Sequence, residues 1–237
     1  YKACRAGSIL GTMQAGYTDF KFLSDTSKKI FDREALIGVS ITGWMNNPDV
    51  LFDKKVLEKG AKIVKEVNKE VAALLGINAA ARTTCVKPSG NASVLLQTAS
   101  GIHAEHSTMY IRNVQMTKDS EVTQAIQRAN PYMVEDSVWS ATGSDVVVSF
   151  PIVPKKGSYV KEDLVGVDHL EKVKLVQEYW VNAGTNEELC ADKGVRHNVS
   201  NTILVDDWHK VEEYVFKNRH SFAGISFLSM MGDKDFN

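Results

Sequence analysis

Apolar side chains recur at intervals of three and four residues along much of the chain, the spacing that places them on one face of an α-helix. The clearest case runs from Asp53 to Leu75, where lysine and glutamate fill the positions between the apolar ones. Asp53 suits the N-cap of this helix and Gly76 suits its C-terminal stop. The same spacing predicts further helices over residues 2–15, 33–45, 92–98, 121–129, 169–183 and 207–218.

Short apolar runs that alternate with these helices predict strands. They cover residues 83–86, 109–116, 146–150, 199–205 and 222–228. Because strand and helix take turns, the pattern favours an α/β architecture with a largely parallel sheet. Residues 151–161 have loop chemistry throughout, but this segment is too short to mark a domain boundary. We therefore expect one domain.

The composition excludes several classes of function. Of the 237 residues 43% are hydrophobic, which is enough for a sizeable core. Lysine and arginine number 28 against 29 acidic residues, with no long block of one sign. This balance leaves no basic cluster that would bind nucleic acid or an anionic membrane. No apolar run reaches the ~18 residues that span a bilayer. The sequence predicts a cytoplasmic protein that binds neither and captures any anion locally.

The cysteines and histidines do not form a recognisable metal site. Cys4, Cys85 and Cys190 are too far apart for a disulfide framework or a Cys-x-x-Cys zinc site, which fits a reducing compartment. Cys4 and Cys85 are interpreted as small buried residues, and Cys190 lies in a polar stretch that could be exposed. The run from His103 to His106 offers several ligand types, but we expect structural hydrogen bonding there and no metal.

A second polar pattern lies in the predicted strand that begins at His197. Alternation places Asn198, Ser200 and Thr202 on one face and apolar residues with Asn201 on the other. A polar inner face suits a strand that lines a substrate or cofactor cavity. An edge strand with a wet face is the alternative.

The segment from Arg82 to Thr98 carries the clearest chemistry, because a β-branched run is followed by Lys-Pro-Ser-Gly and then by a helix-forming stretch. A strand, a tight turn and a helix start expose unpaired backbone N–H groups at the positive end of a helix dipole. Serine hydroxyls and a lysine charge can add to such an anion site, and glycine lets the backbone come close to a ligand. An ordinary helix cap, with Ser89 satisfying its own backbone, is the alternative. The predicted phosphate-binding residues are Lys87, Pro88, Ser89, Gly90, Asn91, Ala92 and Ser93.

The string TTCVKPSGNASVLLQTASGIH resembles the loop after a barrel strand that cradles the substrate phosphates in adenosylcobalamin-dependent ribonucleotide reductases. Asn91 stands where that family usually has threonine, which changes a hydrogen bond and keeps the backbone cradle. The resemblance covers nearly the whole chain. Other stretches that agree, in order, are CRAGSILGTMQAGYTDF, REALIGVSITGWMNNP, SGIH, YIR, HNVSNT, FAGIS and Gly232-Asp233.

This resemblance implies a fold, a reaction and a set of partners. Residues 1–237 would form a single partial domain, the later part of a reductase-type α/β barrel, incomplete at both ends. The implied cofactor is adenosylcobalamin, and the implied substrate is a ribonucleotide, expected to be a triphosphate. A dithiol or a thioredoxin-type protein would supply the reducing equivalents.

The same resemblance implies that this segment holds no catalytic residue. In the family a thiyl radical forms on a cysteine within Asn-x-Cys-x-Glu, and none of the three cysteines here has glutamate two positions later. We therefore expect a reductase fragment that acts with an N-terminal reductase segment or chain and does not turn over alone. The alternative is a non-catalytic module that binds nucleotide phosphates, or assists assembly, and completes a partner chain.

Overall fold

The computed structural model describes residues 1–90 and 92–230. Contacts divide the chain into two compact units, a first unit of Tyr1–Glu105 with Gly157–Asn237 and a second unit of His106–Lys156. The single partial domain over residues 1–237 stays a prediction.

Helices and strands are interspersed along the described chain. The helices are α1 (Lys2–Ala15), α2 (Asp25–Glu34), α3 (Pro48–Leu51), α4 (Lys54–Leu75), α5 (Ala92–Leu95), α6 (Glu121–Ala129), α7 (Gly166–Val176) and α8 (Trp208–Lys217). The strands are β1 (Val39–Ser40), β2 (Thr84–Cys85), β3 (Tyr110–Thr117), β4 (Val134–Asp136), β5 (Asp145–Ile152), β6 (Ile203–Val205) and β7 (Phe227–Ser229). Helix α7 continues into a π-helix at Gln177–Asn182. None of the helices in the described part of the chain is both long and apolar enough to cross a membrane.

The long helix α4 begins and ends where its sequence indicates. The Asp53 carboxylate accepts a hydrogen bond from the Val56 N–H at 2.9 Å, as an N-cap does. Gly76 ends the helix with a φ of 70°, in the left-handed region that glycine adopts without steric cost. Both predicted caps of this helix are confirmed.

The helix predicted over residues 33–45 is wrong. Helix α2 ends at Glu34 with Ala35 in the left-handed region, and in the segment that follows Ile37 and Val39 are buried while Leu36, Gly38 and Ser40 are exposed. The Val39 N–H donates to the Thr83 carbonyl at 2.9 Å. The apolar residues of this segment therefore follow the two-residue period of a strand. Pairing with β2 makes the segment extended rather than helical.

Parallel pairing joins the strands of the first unit. Strand β1 pairs with β2, and β6 pairs with β7, both in parallel. A parallel bridge between Val86 and Val199 connects β2 to the chain that leads into β6. The described strands do not close into a barrel. The prediction of an α/β fold with parallel strands therefore holds for the ladders of this unit.

The second unit is built differently, because its sheet is antiparallel in the order β3-β5-β4. Strand β5 lies in the centre and buries Val146 and Val148. Ser120 caps α6 by accepting the Thr123 N–H at 3.1 Å. The largely parallel sheet predicted from the sequence is therefore wrong for these strands.

A buried tryptophan of the π-helix fixes strand β2 in place. Trp180 is fully buried, and its indole N–H donates to the Cys85 carbonyl at 3.0 Å. The Thr84 hydroxyl donates in turn to the Trp180 carbonyl at 2.7 Å. Helix α4 packs against the same π-helix, because a Cβ on Gly60 would lie 3.1 Å from the Trp180 ring. The π-helix therefore lies between α4 and the strand that leads to the candidate site.

We expect Gly184→Ala to lower the free energy of unfolding by about 2 kcal/mol, the range for a side chain forced into a filled core. A Cβ at Gly184 would lie 1.9 Å from the Thr84 hydroxyl oxygen, so β2 or the π-helix must shift. Urea denaturation measures the loss. The control is Gly11→Ala in α1, where the nearest atom to a new Cβ is 3.5 Å away. Equal stability of the two variants would contradict this packing.

Candidate functional site

The predicted phosphate loop leaves the carboxyl end of β2. Ligand sites of parallel α/β folds lie at this end of the strands. The Lys87 N–H donates to the Ser40 hydroxyl at 3.0 Å, so the loop begins hydrogen-bonded to the end of β1. Lys87, Pro88 and Gly90 are exposed. The strand and the turn predicted from the sequence are therefore present.

Ser89 caps the short helix that follows the turn. Its hydroxyl oxygen accepts the Ser93 N–H at 3.0 Å, and the Ser93 hydroxyl donates to the Ser89 carbonyl. The Ser89 N–H donates to the Ser100 hydroxyl at 2.8 Å. The helix-cap arrangement weighed as an alternative is therefore present, and these internal bonds hold the turn in one conformation.

The other predicted loop residues differ in accessibility. Ala92 is exposed, whereas Ser93 is buried beneath the turn. A Cβ built on Gly90 would meet no atom within 4 Å, so open space adjoins the backbone there. Asn91 lies outside the described residues. Lys87 and the backbone around Gly90 are thus among the accessible groups of the described part of the loop.

The segment after β1 supports the loop through hydrogen bonds of Thr42, Gly43 and Asn46, which we call the brace. Sequence reasoning missed it. The Gly43 N–H and the Thr42 hydroxyl both donate to the Ala99 carbonyl at 3.0 Å. The Ala99 N–H donates to the Asn46 side-chain oxygen at 2.7 Å, and the Gly101 N–H donates to the Thr42 hydroxyl at 2.9 Å. Asn46 was not singled out from the sequence, although a buried asparagine needs several hydrogen-bond partners.

Two glycines are required by this brace. Gly101 has a φ of 55°, and a Cβ there would lie 2.9 Å from the Lys87 carbonyl oxygen. Gly43 has a φ of 74°, and a Cβ there would lie 2.9 Å from the Thr98 Cβ. Side chains at either position would meet both backbone strain and a steric clash. The approach of these segments therefore depends on glycine.

His103 joins the loop to the strand that follows Val199. Its Nε2 accepts the Thr202 N–H at 3.0 Å, which leaves the ring proton on Nδ1 to be donated to the Ser100 carbonyl. Glu105 is buried and accepts from the Asn46 side chain at 2.7 Å. Structural hydrogen bonding is therefore the role of both residues, and no cluster of three possible metal ligands occurs among the described residues.

His169 lies behind the same segment and is almost completely buried. Its Nε2 lies 3.0 Å from the Ile102 carbonyl, to which it donates as a neutral ring. Burial lowers the pKa of His169 to about 4, more than the hydrogen bond to Ile102 raises it. This histidine therefore stays neutral near pH 7 and anchors the chain between the phosphate loop and His103.

Polar side chains line the accessible face of the parallel strands beside the loop. Along residues 198–203 the side chains alternate between accessible and buried, as predicted. The segment pairs with β2 at Val86 and with β7 at Phe227, so it is not an edge strand. Ser40 and Cys85 are neighbours on that accessible face, because they are partners in the β1–β2 ladder. We name this face the polar strip, consisting of Ser40, Cys85, Asn198, Ser200 and Thr202.

Comparison with known proteins gives relatives of one kind, although no family model matches the chain. An adenosylcobalamin-dependent ribonucleoside-triphosphate reductase of Euglena gracilis is 27% identical over 159 residues, 66% of this chain and 22% of the relative. A probable adenosylcobalamin-dependent ribonucleoside-triphosphate reductase of Dictyostelium discoideum is 29% identical over 163 residues, 67% of this chain and 21% of the relative. The chain is similar in sequence to adenosylcobalamin-dependent ribonucleoside-triphosphate reductases. It spans about a fifth of the length of these two curated reductases.

A solved reductase shares the fold. The crystal structure of a B12-dependent (class II) ribonucleotide reductase matches with a TM-score of 0.76 and 17% sequence identity. The match covers 97% of this chain and 34% of the reductase chain. The sequence predicted a fold of mixed helices and strands that resembles part of a reductase. The structural match confirms this prediction of the fold.

The three cysteines are at least partly buried. Burial raises the pKa of Cys4 and of Cys85, and in Cys85 it outweighs the nearby Lys87 charge. Cys190 is buried, and its Sγ lies 3.3 Å from the Asn186 carbonyl. The expectation that Cys190 could be exposed is therefore wrong, because the turn that precedes it folds over the side chain.

Proposed function

We propose that this chain is the part of an adenosylcobalamin-dependent ribonucleotide reductase that holds the substrate phosphates. The relatives named as ribonucleoside-triphosphate reductases favour a ribonucleoside triphosphate as substrate. The observation that carries the proposal is the position of the Lys-Pro-Ser-Gly turn, at the carboxyl end of β2 and next to the polar strip.

The geometry suggests how a triphosphate binds. Lys87 supplies positive charge at the mouth of the turn, and the open backbone around Gly90 supplies N–H donors. The internal bonds of Ser89 and the brace fix the turn before a ligand arrives, which lowers the entropic cost of binding.

We propose adenosylcobalamin as the cofactor. Its corrin ring carries amide side chains, and the hydroxyl and amide groups of Ser40, Asn198, Ser200 and Thr202 are suitable hydrogen-bond partners for them. These residues of the polar strip would hold it. When bound, the cofactor supplies the radical by homolysis of its cobalt–carbon bond. The chain's own contribution is to orient the nucleotide and to shield one side of it from water.

The proposed reaction needs groups beyond this chain. Loss of the ribose 2′-hydroxyl as water requires two electrons, which a dithiol or a thioredoxin-type protein supplies as it becomes a disulfide. The cysteine that carries the thiyl radical would come from an N-terminal reductase segment or chain. The phosphate loop would place the ribose within reach of that cysteine.

We expect Ser89→Val combined with Gly90→Val to abolish the binding of a ribonucleoside triphosphate, because two β-branched side chains fill the space next to the turn. Isothermal titration measures the affinity. The matched control is Ser144→Val, an exposed serine of the second unit. Thermal denaturation of each variant shows whether it is folded. Unchanged affinity in a folded double variant would contradict the loop assignment.

The reductase proposal is tested by an activity assay with adenosylcobalamin, a ribonucleoside triphosphate and a dithiol. The chain is assayed alone and then with an N-terminal reductase segment that contains Asn-x-Cys-x-Glu. We expect deoxyribonucleotide only in the mixture. Product from the chain alone would contradict the absence of a radical cysteine here, and no product in either case would contradict the reductase proposal.

A further inference from the structure

A cavity of about 470 Å³ lies at the end of the parallel strands opposite to the phosphate loop. Two segments form much of its wall, residues 193–196 before the strand through Val199 and residues 221–223 before β7. Because the strands are parallel, both segments lie at their amino ends, whereas the phosphate loop follows their carboxyl ends. The volume falls within the range of about 300–1,000 Å³ that small-molecule sites occupy.

Basic side chains form part of the wall of this cavity. Lys193, Arg196 and His220 line it, and none of the described residues that line it is acidic. Arg196 is fixed, because its guanidinium donates to the Glu187 carboxylate at 2.6 Å and to the Lys193 carbonyl. Lys193 is exposed and forms no ion pair with another residue of the described chain. Its positive charge is therefore available to an anion.

The π-helix contributes two amide side chains to the same wall. Gln177 is almost completely buried, and its amide nitrogen donates to the Asn182 side-chain oxygen and to the His197 carbonyl, both at 3.1 Å. These two bonds use both amide hydrogens and fix the orientation of the group. The Gln177 side-chain oxygen is buried and has no hydrogen-bond partner among the described residues. A buried acceptor of this kind is costly unless a donor reaches it.

We propose that the cavity binds a small organic anion that also carries hydroxyl or amine donors. Lys193 and Arg196 hold the anionic group, as charge-assisted hydrogen bonds from lysine and arginine commonly do. A hydroxyl or amine of the same molecule reaches the π-helix wall, where it donates to Gln177 and accepts from Asn182. π-Helices are short, rare and frequent at functional sites, which fits this assignment. The inference does not rest on the proposed function, since the two sites lie at opposite ends of the strands.

Ribose 5-phosphate is the probe, because it joins an anionic group to several hydroxyl donors. It is titrated into the ¹⁵N-labelled 237-residue chain, and amide resonances are followed by NMR. We expect shifts at the backbone N–H of Gly194 and Ser221 and at the side-chain amides of Gln177 and Asn182. Inorganic phosphate and ribose, each lacking half of the recognised chemistry, should bind at least about tenfold more weakly.

Two variants separate this site from the phosphate loop. Lys193→Gln removes an exposed charge and should weaken ribose 5-phosphate binding by about tenfold without affecting folding. Gln177→Met, checked for folding by thermal denaturation, should weaken it as well. The control Lys87→Gln should leave the cavity resonances responding as in the unmodified chain. Shifts confined to the loop, no shifts at all, or binding that is unchanged in Lys193→Gln would each overturn the proposal.

Discussion

Replacing Arg82 with methionine is expected to lower the free energy of unfolding by about 3 kcal/mol, because the buried Glu34 carboxylate keeps only its contacts to Arg33 at 3.2 Å and to the Ala191 N–H at 3.4 Å. The Arg82 guanidinium donates to the Glu34 carboxylate at 2.6 Å, and both side chains are almost completely buried. It also donates to the carbonyls of Val195 at 2.9 Å and Asp192 at 3.1 Å. One side chain therefore joins α2, β2 and the segment that lines the cavity. Urea denaturation at neutral pH measures the loss.

The matched control is Arg5→Met, which removes an ion pair with Glu70 at 3.9 Å between side chains that are more than half exposed. Exposed pairs contribute about 0–1 kcal/mol, so this variant should be nearly as stable as the unmodified chain. Combining Arg82→Met with Glu34→Leu removes both buried charges and should recover part of the lost stability. Equal losses in the two arginine variants would contradict the importance of the buried pair.

His169 is expected to make the chain lose about 3 kcal/mol of stability as the pH falls from about 6.5 to about 4. In the unfolded chain a histidine takes up its proton near pH 6.5. Burial holds the pKa of folded His169 at about 4, so between these values the unfolded state binds more protons. Neutral, buried His169 therefore contributes its full stabilisation of the folded state above pH 6.5. This contribution is lost as the pH falls from 6.5 to about 4. Denaturation curves recorded at several pH values measure it.

His169→Gln is the test, because glutamine can donate to the Ile102 carbonyl and does not titrate. This variant should lose most of the slope between pH 6.5 and 4. Burial also lowers the pKa of His197, so a smaller slope of the same sign should remain. His209→Gln, on the exposed face of α8, is the control and should keep the full slope. Identical slopes in the two variants would exclude His169 as the source.

Helices with a distinct apolar face could be predicted from the sequence. Helices α1, α4 and α6 lie within a residue of their predicted bounds, because apolar residues recur at helical spacing along each of them. Helix α2 was missed, since its sequence DTSKKIFDRE is mostly polar and shows little apolar spacing. Its N-cap, Ser24, accepts the Ser27 N–H at 3.2 Å and was a local pattern that could have indicated it.

Strand direction in the second unit could not have been deduced from the predicted strands, because β4 was not among them. Only residues 137–144 separate β4 from β5, which is too short for the crossover of a dozen or more residues that parallel neighbours need. A tight connection of this kind requires antiparallel pairing. Residues 117–145 separate the predicted strands 109–116 and 146–150, which is long enough for a parallel crossover, so the prediction of a largely parallel sheet could be corrected only once β4 was known.

The candidate site was predictable only in part. The turn with Ser89 and Gly90 could be predicted from the order of strand, turn and helix along the sequence. The alternation of residues in the HNVSNT segment correctly predicted which of its side chains are accessible. The brace through Asn46 could not be deduced, because its partners Ala99 and Glu105 are distant in the sequence. The cavity at the amino ends of the strands was missed for the same reason, since the π-helix and two separate segments form it.

The bridge between Glu105 and Val160 makes the second unit separable in principle. The Glu105 N–H donates to the Tyr159 carbonyl and the Lys161 N–H donates to the Glu105 carbonyl, both at 3.0 Å. The chain therefore departs from the first unit and returns to it at adjacent points, as tolerated domain insertions do. A few flexible residues could replace His106–Lys156 while Asn46 kept its bond to Glu105. The first unit, which contains the phosphate loop, should therefore tolerate another folded domain, such as a reporter protein, inserted between Glu105 and Gly157.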